Sequence, residues 1–150
     1  MKRALLTFML VLFVLTIPMS ALAGRRSEIE DILDEWMEKA EDEGLDVFDW
    51  DIDVLDEDNY YVTYTIELDR GDYAVVAQSD SSIVDIDMAA WYEDEYDDGE
   101  DPFEEDTYED NYPIVEFSLR RTETIVIEIW AVEFDRGEDE GYYCILIAEE

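Results

Sequence analysis

The sequence predicts a mainly β protein, an antiparallel β-sandwich or barrel preceded by one N-terminal amphipathic α-helix. Two observations predict this class. Apolar residues recur at helical spacing between Ser27 and Glu43, and after Gly44 they alternate with polar residues, as in half-buried strands. The strand-like segments are short and are separated by turn residues without helical patterns, which favours antiparallel sheets over βαβ units.

The first 23 residues are expected to be a secretory signal peptide. Met1-Lys2-Arg3 precedes an almost wholly apolar run from Ala4 to Ile17, and Ala21-Leu22-Ala23 supplies small residues for cleavage. The run is short for a membrane span, although an uncleaved N-terminal anchor is the alternative. We therefore expect a secreted or periplasmic protein without membrane insertion after cleavage. Its parts are a signal peptide at 1–23, an N-terminal helix at 24–44 and a β-sandwich domain at 45–150.

The predicted helix spans Ser27 to Glu43. Ser27 and Glu30 have the spacing of a capping box, and Gly44 suits a helix end. We expect its apolar stripe to pack on the protein's own sheet, and docking on a partner is the alternative. The stripe consists of Ile29, Ile32, Leu33, Trp36, Met37 and Ala40.

About seven strands are predicted after the helix. In the fourth, Val84, Ile86 and Met88 are expected on one side and Asp85 and Asp87 on the other. The strands are Phe48–Val54, Tyr60–Leu68, Tyr73–Gln78, Ile83–Tyr92, Ile114–Leu119, Thr124–Phe134 and Tyr142–Ala148.

A long acidic loop is expected from Glu93 to Asn111, where 12 of 19 residues are Asp or Glu. A loop of this length in a compact domain is usually functional or disordered. Aromatic residues frame it, and they either bind sugars or a partner or pin the loop to the sandwich. They are Trp91, Tyr92, Tyr96, Phe103, Tyr108 and Tyr112.

The formal net charge is −35, and all 44 acidic residues follow Ala23. This charge opposes binding to nucleic acids and anionic membranes and destabilises the compact state by self-repulsion. Salt, divalent cations or a basic partner must offset it. Disorder is disfavoured because ten tyrosines, four tryptophans and six phenylalanines supply apolar area for a core.

The residues that are missing exclude several enzyme classes. The chain has no histidine and one cysteine, which excludes His-dependent nucleophilic sites and thiolate or histidine metal sites. Carboxylate pairs could still hydrolyse glycosidic bonds, but a non-catalytic protein is favoured. Cys144 lies in an apolar strand and is expected to be buried, with an intermolecular disulfide as the alternative.

The segment from Tyr73 to Ala148 resembles the bacterial pre-peptidase C-terminal (PPC-like) domain family. The resemblance lies in Gly71-Asp72-Tyr73, Asp85-Ile86-Asp87-Met88, Pro113 and Gly141-Tyr142-Tyr143. It implies a jelly-roll β-sandwich that acts as a non-catalytic accessory in adhesion, solubility or secretion, and some members bind calcium. Members usually follow a secreted hydrolase domain, whereas here the predicted helix takes that place.

Carboxylates supply the candidate metal ligands. Asp85 or Asp87 together with Asp106 or Asp110 could bind Ca²⁺, which takes oxygen ligands from loops. The alternative is that Asp85 and Asp87 are only the solvent side of a strand. Asp49, Asp51 and Asp53 form a second row on one strand face, about 7 Å apart in succession, for which solvent exposure is favoured over cation binding.

The leading hypothesis is therefore a secreted, non-catalytic acidic module that binds a cation, calcium among them, or a protein or polysaccharide partner. One alternative is a structural extracytoplasmic protein whose acids are an adaptation to high salt. The other is a carboxylate-dependent hydrolase acting on polysaccharide.

Overall fold

The computed structural model describes residues 24–149, so the predicted signal peptide and Glu150 lie outside the described residues. The described residues form a long helix and then eight strands, with a short helix between the fourth and fifth strands. No helix among residues 24–149 is long and apolar enough to cross a membrane. The elements are α1 (Arg25–Glu43), β1 (Asp46–Asp56), β2 (Tyr61–Leu68), β3 (Asp72–Ser79), β4 (Ile83–Tyr92), α2 (Glu93–Asp98), β5 (Glu104–Asp106), β6 (Ile114–Ser118), β7 (Glu123–Phe134) and β8 (Glu140–Glu149).

The strands form two antiparallel sheets of four strands each. Sheet I has the order β1-β8-β3-β6, and sheet II has the order β2-β7-β4-β5. Consecutive strands lie in opposite sheets, except for β4 and β5, which are neighbours in sheet II, and this crossing between sheets is typical of an eight-stranded jelly roll. The predicted antiparallel, jelly-roll-like sandwich with one preceding helix is confirmed.

The main core lies between the two sheets. Alternate residues of β3 and β8, such as Val75 and Ile145, face alternate residues of β4 and β7, such as Met88 and Ile127, and all four are buried. This alternation is the pattern that predicted the strands, because side chains along a strand point to opposite faces. The inner faces therefore account for the core of the sandwich.

A second core lies between α1 and the outer face of sheet I. Leu33 and Trp36 of the helix pack against Val76, Cys144 and Leu146 of the sheet. The predicted packing of the apolar stripe on the protein's own sheet is confirmed, and so is the predicted burial of Cys144. One face of the sandwich is thereby covered.

Arg25 fixes the start of α1 to the strands. Its Nη1 donates to Ser82 Oγ at 2.8 Å and forms an ion pair with Glu138 at 2.9 Å. Ser82 precedes β4 and Glu138 precedes β8, so one side chain joins the helix to turns next to both sheets. This connection adds to the apolar contacts of Leu33 and Trp36 that hold α1 on sheet I.

The prediction of a capping box at Ser27 is wrong. The helix starts at Arg25 with Gly24 as its N-cap and no side-chain cap, and Ser27 Oγ donates to the Gly24 carbonyl at 2.7 Å. Ser27 lies inside the first turn, where its hydroxyl bonds back to the preceding backbone. The predicted end is confirmed, because Gly44 has a left-handed conformation with φ 74° that favours glycine.

The prediction of one acidic loop from Glu93 to Asn111 is also wrong, because the segment contains α2 and β5. Contacts of Phe103 explain why this segment is structured rather than a free loop. Its ring lies 4.6 Å from that of Tyr92 and 5.4 Å from that of Phe117. Its backbone N–H donates to the Ala90 carbonyl, next to the pairing of β5 with β4. The interpretation that aromatic residues pin this segment to the sandwich is confirmed for Phe103.

Candidate functional site

The outer face of sheet II is the part of the sandwich that α1 leaves open. Cross-strand pairing places Tyr61, Trp130 and Asp87 side by side in one row of this face, and Thr63, Glu128 and Ala89 in the next. Their neighbours Val62, Ile127 and Met88 point inward to the core. The outer side of the sheet therefore carries aromatic residues beside two carboxylates, of which Glu128 is half-buried and Asp87 is buried.

The short helix α2 packs against β4 and β7 and adds a further aromatic residue to this face. The Tyr96 ring meets the Trp91 ring edge-on, with centroids 5.3 Å apart. The Tyr96 hydroxyl donates to Glu128 Oε2 at 2.7 Å, and this hydrogen bond raises the pKa of Tyr96. We call the surface formed by Tyr61, Thr63, Asp87, Trp91, Tyr96, Glu128 and Trp130 the uncovered face.

Tyr61 is the most accessible aromatic anchor of the uncovered face. Its side chain is 52% exposed, whereas Trp130 beside it is half-buried. The Trp130 indole lies beside the Asp87 carboxylate, where it acts to lower the pKa of Asp87 against the larger effect of burial. Large rigid rings and fixed carboxylates are thus held together on a sheet scaffold, as in surfaces that bind proteins.

The structure brings the four predicted ligands Asp85, Asp87, Asp106 and Asp110 together at one margin of the uncovered face. Burial raises the pKa of Asp87 to about 6, and the negative charges of Asp85, Asp106 and Asp110 add to the shift. Burial likewise raises the pKa of Asp85 and of Asp110. The carboxylates are therefore close enough to repel one another.

Asp87 lies on the outer side of β4, as expected, but the expectation that Asp85 and Asp87 are exposed to solvent is wrong. Asp85 is 9% exposed and Asp87 is 8% exposed. The pairing of β4 with β7 shifts register on both sides of Asp85, and Val84, expected to face the core, is exposed instead. A bulge of this kind re-aims side chains, and regular alternation cannot reveal it.

Hydrogen bonds show which backbone groups these carboxylates bind. Asp106 accepts backbone N–H groups of Tyr108 and Ile114 at 3.2 and 2.9 Å, and Asp110 accepts that of Tyr112 at 3.0 Å. Both therefore shape the chain between β5 and β6. Asp85 Oδ1, in contrast, is buried without a hydrogen-bond partner. Among residues 24–149, no three acidic or cysteine side chains converge in a geometry that would hold a metal ion.

The Asp49, Asp51 and Asp53 row lies on one face of β1, as predicted. These residues are opposite Ile147, Ile145 and Tyr143, whose side chains face the main core. The row therefore points toward the space between the sheets at an open edge of the sandwich. Inward-pointing charges on an edge strand also discourage pairing with another chain.

The sequence did not predict the tyrosine pair beside this row. Tyr64 of β2 and Tyr143 of β8 place their hydroxyl oxygens 2.6 Å apart, and Tyr64 also donates to Asp51 Oδ2 at 3.1 Å. Burial raises the pKa of both phenols. The pair could have been suspected because both tyrosines occupy inward positions of their strands, where a buried hydroxyl group needs a hydrogen-bond partner.

No family model and no curated protein matches the chain. Solved structures, in contrast, are similar to the chain in fold. The pre-peptidase C-terminal domain of collagenase from Bacillus anthracis is similar with a TM-score of 0.52 and 8% identity, over 66% of this chain and 87% of that one. Aeromonas hydrophila PliG, a periplasmic lysozyme inhibitor of g-type lysozyme, is similar with a TM-score of 0.51 and 8% identity, over 68% of this chain and 85% of that one.

At 8% identity, these likenesses show the fold. The expected resemblance to the PPC-like domain is confirmed at this level, since that domain has the same fold. The similar structures are a domain of a collagenase and a lysozyme inhibitor.

Proposed function

We propose that the protein is an exported, non-catalytic β-sandwich module that binds a positively charged protein through the uncovered face. The observation that carries the proposal is the asymmetry of the sandwich. Sheet I is covered by α1, whereas sheet II presents Tyr61, Trp130 and Tyr96 next to Asp87 and Glu128. A face of this composition is suited to a partner rather than to bulk water.

The negative charge of the protein favours a positively charged partner. The net charge of −35 attracts cationic proteins over a distance set by salt screening and speeds their encounter. At contact, Lys and Arg side chains gain from carboxylates and from the faces of Trp and Tyr rings. A basic partner would also relieve the self-repulsion of the acidic surface.

The similar structures support a non-catalytic role and a protein partner. PliG is a lysozyme inhibitor and is periplasmic, so a protein of this fold acts on another protein outside the cytoplasm. The PPC domain is one part of a collagenase. Export of this chain is supported by the charged, apolar and small-residue order of residues 1–23.

Site-specific crosslinking in the producing cells tests the proposal. A photoreactive phenylalanine analogue replaces Tyr61 in one variant and Phe48 in the control, since Phe48 is 49% exposed but lies on β1 of sheet I. We expect position 61 to give one dominant adduct with a basic protein and position 48 not to give it. No adduct, the same adduct from both positions, or an adduct with an acidic protein would contradict the proposal.

A second candidate function, binding of Ca²⁺ by Asp85, Asp87, Asp106 and Asp110, is favoured by one observation. The buried Asp85 Oδ1 lacks a hydrogen-bond partner, and such an atom is usually paired in folded proteins. A cation there would pair it and would neutralise the adjoining carboxylates. The side chains would have to converge further to surround the ion, because Ca²⁺ takes six to eight oxygen ligands.

Calorimetric titration and thermal melting with CaCl₂ test this second candidate. We expect heat of binding and a higher Tm that Asp85→Asn abolishes and the exposed control Asp53→Asn retains. NaCl and KCl at matched ionic strength separate specific binding from adaptation to high salt. Equal stabilisation by all three salts would contradict calcium binding and favour the salt-adapted alternative.

A further inference from the structure

The open edge of the sandwich between β1 and β2 contains a narrow slot. β1 is an edge strand of sheet I, β2 is an edge strand of sheet II, and the hydrogen bond from Tyr64 to Asp51 joins them. The space has a volume of about 60 Å³. We call it the edge slot, and the residues that line it include Asp49, Asp51, Tyr64, Ile66, Ile145 and Ile147.

The edge slot has an apolar floor and an acidic rim. Ile145 and Ile147 are buried at its base, and Ile66 is half-buried. Asp49 is exposed and Asp51 is half-buried on the strand face that points into the slot. A ligand that enters therefore meets the carboxylates of Asp49 and Asp51 and the isoleucine side chains at the base of the slot.

The two carboxylates retain capacity for a charged donor. Asp49 Oδ1 accepts the Trp50 N–H at 2.8 Å, and Asp51 accepts the Ile52 N–H at 2.9 Å besides the Tyr64 hydroxyl. A carboxylate accepts about four hydrogen bonds, so both can take more. Within residues 24–149 the ion pairs involve Glu30, Glu35, Glu123 and Glu138, and none neutralises Asp49 or Asp51.

We infer that the edge slot receives a lysine side chain of a positively charged protein partner. Lysine combines a hydrocarbon stem, which the three isoleucines would cover, with an ammonium group, which Asp49 and Asp51 would bind. A volume of about 60 Å³ holds roughly four water-sized groups, which suits an alkyl stem with a compact ammonium group better than a larger planar guanidinium.

This assignment deepens the proposed function, because it names a side chain that the positively charged partner contributes. The edge slot lies between the edge strands of the two sheets, whereas the uncovered face is the outer surface of sheet II. The two can therefore be tested separately. A positive slot titration with no crosslink from position 61 would refute the uncovered face alone, and the reverse result would refute the slot alone.

Titration of the ¹⁵N-labelled protein with n-butylammonium chloride, followed by NMR, tests the assignment. We expect saturable shifts, at millimolar concentration, confined to the backbone amides of β1, β2 and β8 that border the slot. n-Butanol has the same stem without charge, NaCl has charge without stem, and n-butylguanidinium carries the arginine head group. Each is expected to bind at least about fivefold more weakly than n-butylammonium.

Asp51→Asn is expected to weaken binding of n-butylammonium at least about fivefold, because it removes the charge and keeps an acceptor for Tyr64. Asp53→Asn is the matched control, since Asp53 lies on the same strand face but outside the slot, and its binding should be unchanged. Absence of saturable shifts, shifts equal to those with NaCl, or equal losses in both variants would overturn the inference. Tighter binding of n-butylguanidinium would overturn the choice of lysine.

Discussion

Tyr64 and Tyr143 join the two sheets through their hydroxyl groups, which lie 2.6 Å apart. Tyr64 belongs to β2 of sheet II and Tyr143 to β8 of sheet I, and Asp51 accepts a hydrogen bond from Tyr64 at the same place. The chain Asp51–Tyr64–Tyr143 thus runs from the exposed edge into the core. It makes the open side of the sandwich a fixed structure rather than a gap between sheets.

We expect Tyr64→Phe to lower the free energy of unfolding by about 1 to 3 kcal/mol, because the fully buried Tyr143 hydroxyl would lose its partner. The double variant Tyr64→Phe with Tyr143→Phe should cost less than the sum of the single changes, since no buried hydroxyl is then left unpaired. Urea denaturation of the four proteins measures this. Strict additivity would show that the hydroxyl pair contributes no coupling.

Asp87 predicts a dependence of stability on pH. Its pKa is raised to about 6 in the folded protein, so the fold favours the protonated acid. The charged form therefore opposes folding above pH 6, and this penalty is relieved as the pH falls toward the unfolded pKa near 4.

Asp87→Asn is consequently expected to stabilise the protein at pH 7.5, by up to about 3 kcal/mol, and to have little effect below pH 4. Chemical denaturation across this pH range measures the difference, with the exposed Asp53→Asn as the control for general charge repulsion. If Asp53→Asn gave the same profile, total charge rather than the environment of Asp87 would be responsible.

Cys144 is expected to be unreactive in the folded protein. It is fully buried between α1 and sheet I, and burial raises the pKa of its thiol to about 12, so the reactive thiolate is scarce at neutral pH. A colorimetric thiol reagent should label the protein only after urea unfolds it. Rapid labelling of the native protein, or a disulfide-linked dimer on a non-reducing gel, would contradict this packing.

Gly141 is expected to tolerate no side chain without a loss of stability. A Cβ atom there would lie 2.6 Å from Ile83 Cγ1 and 3.1 Å from Asp80 Oδ1, and both neighbours are buried. Gly141→Ala should therefore lower the free energy of unfolding by about 1 to 3 kcal/mol. Gly24→Ala is the control, because nothing lies within 4 Å of its added Cβ. Equal stability of the two variants would show that β4 moves aside without cost.

The strands and the long helix could be predicted because their signal is local. Alternation between Val62, Thr63, Tyr64 and Thr65 reports burial directly, and the structure packs the first and third of these against the main core and leaves the other two exposed. The order of strands within the two sheets is not local. The resemblance to a known domain family implied a jelly-roll sandwich, whereas the order itself comes from the structure.

The strand β5 and the burial of Asp85 could not be predicted, because both depend on contacts between residues that are distant in the sequence. β5 has three acidic residues, so it has no apolar alternation, and its pairing with Met88, Ala89 and Ala90 defines it. The burial of Asp85 results from a bulge, which shifts the register without a change of residue type. Proximity of Asp85 and Asp87 to Asp106 and Asp110 was predicted, and the depth at which they lie was not.

The affinity of the crosslinked basic partner for three purified proteins tests the proposed function most directly. We predict that Tyr61→Ala raises the Kd at least about tenfold relative to the unmodified protein, as expected for an exposed aromatic anchor. Phe48→Ala, which removes a similarly exposed ring from sheet I, should change the Kd less than about twofold. Equal Kd values for Tyr61→Ala and the unmodified protein, or equal losses in both variants, would contradict binding through the uncovered face.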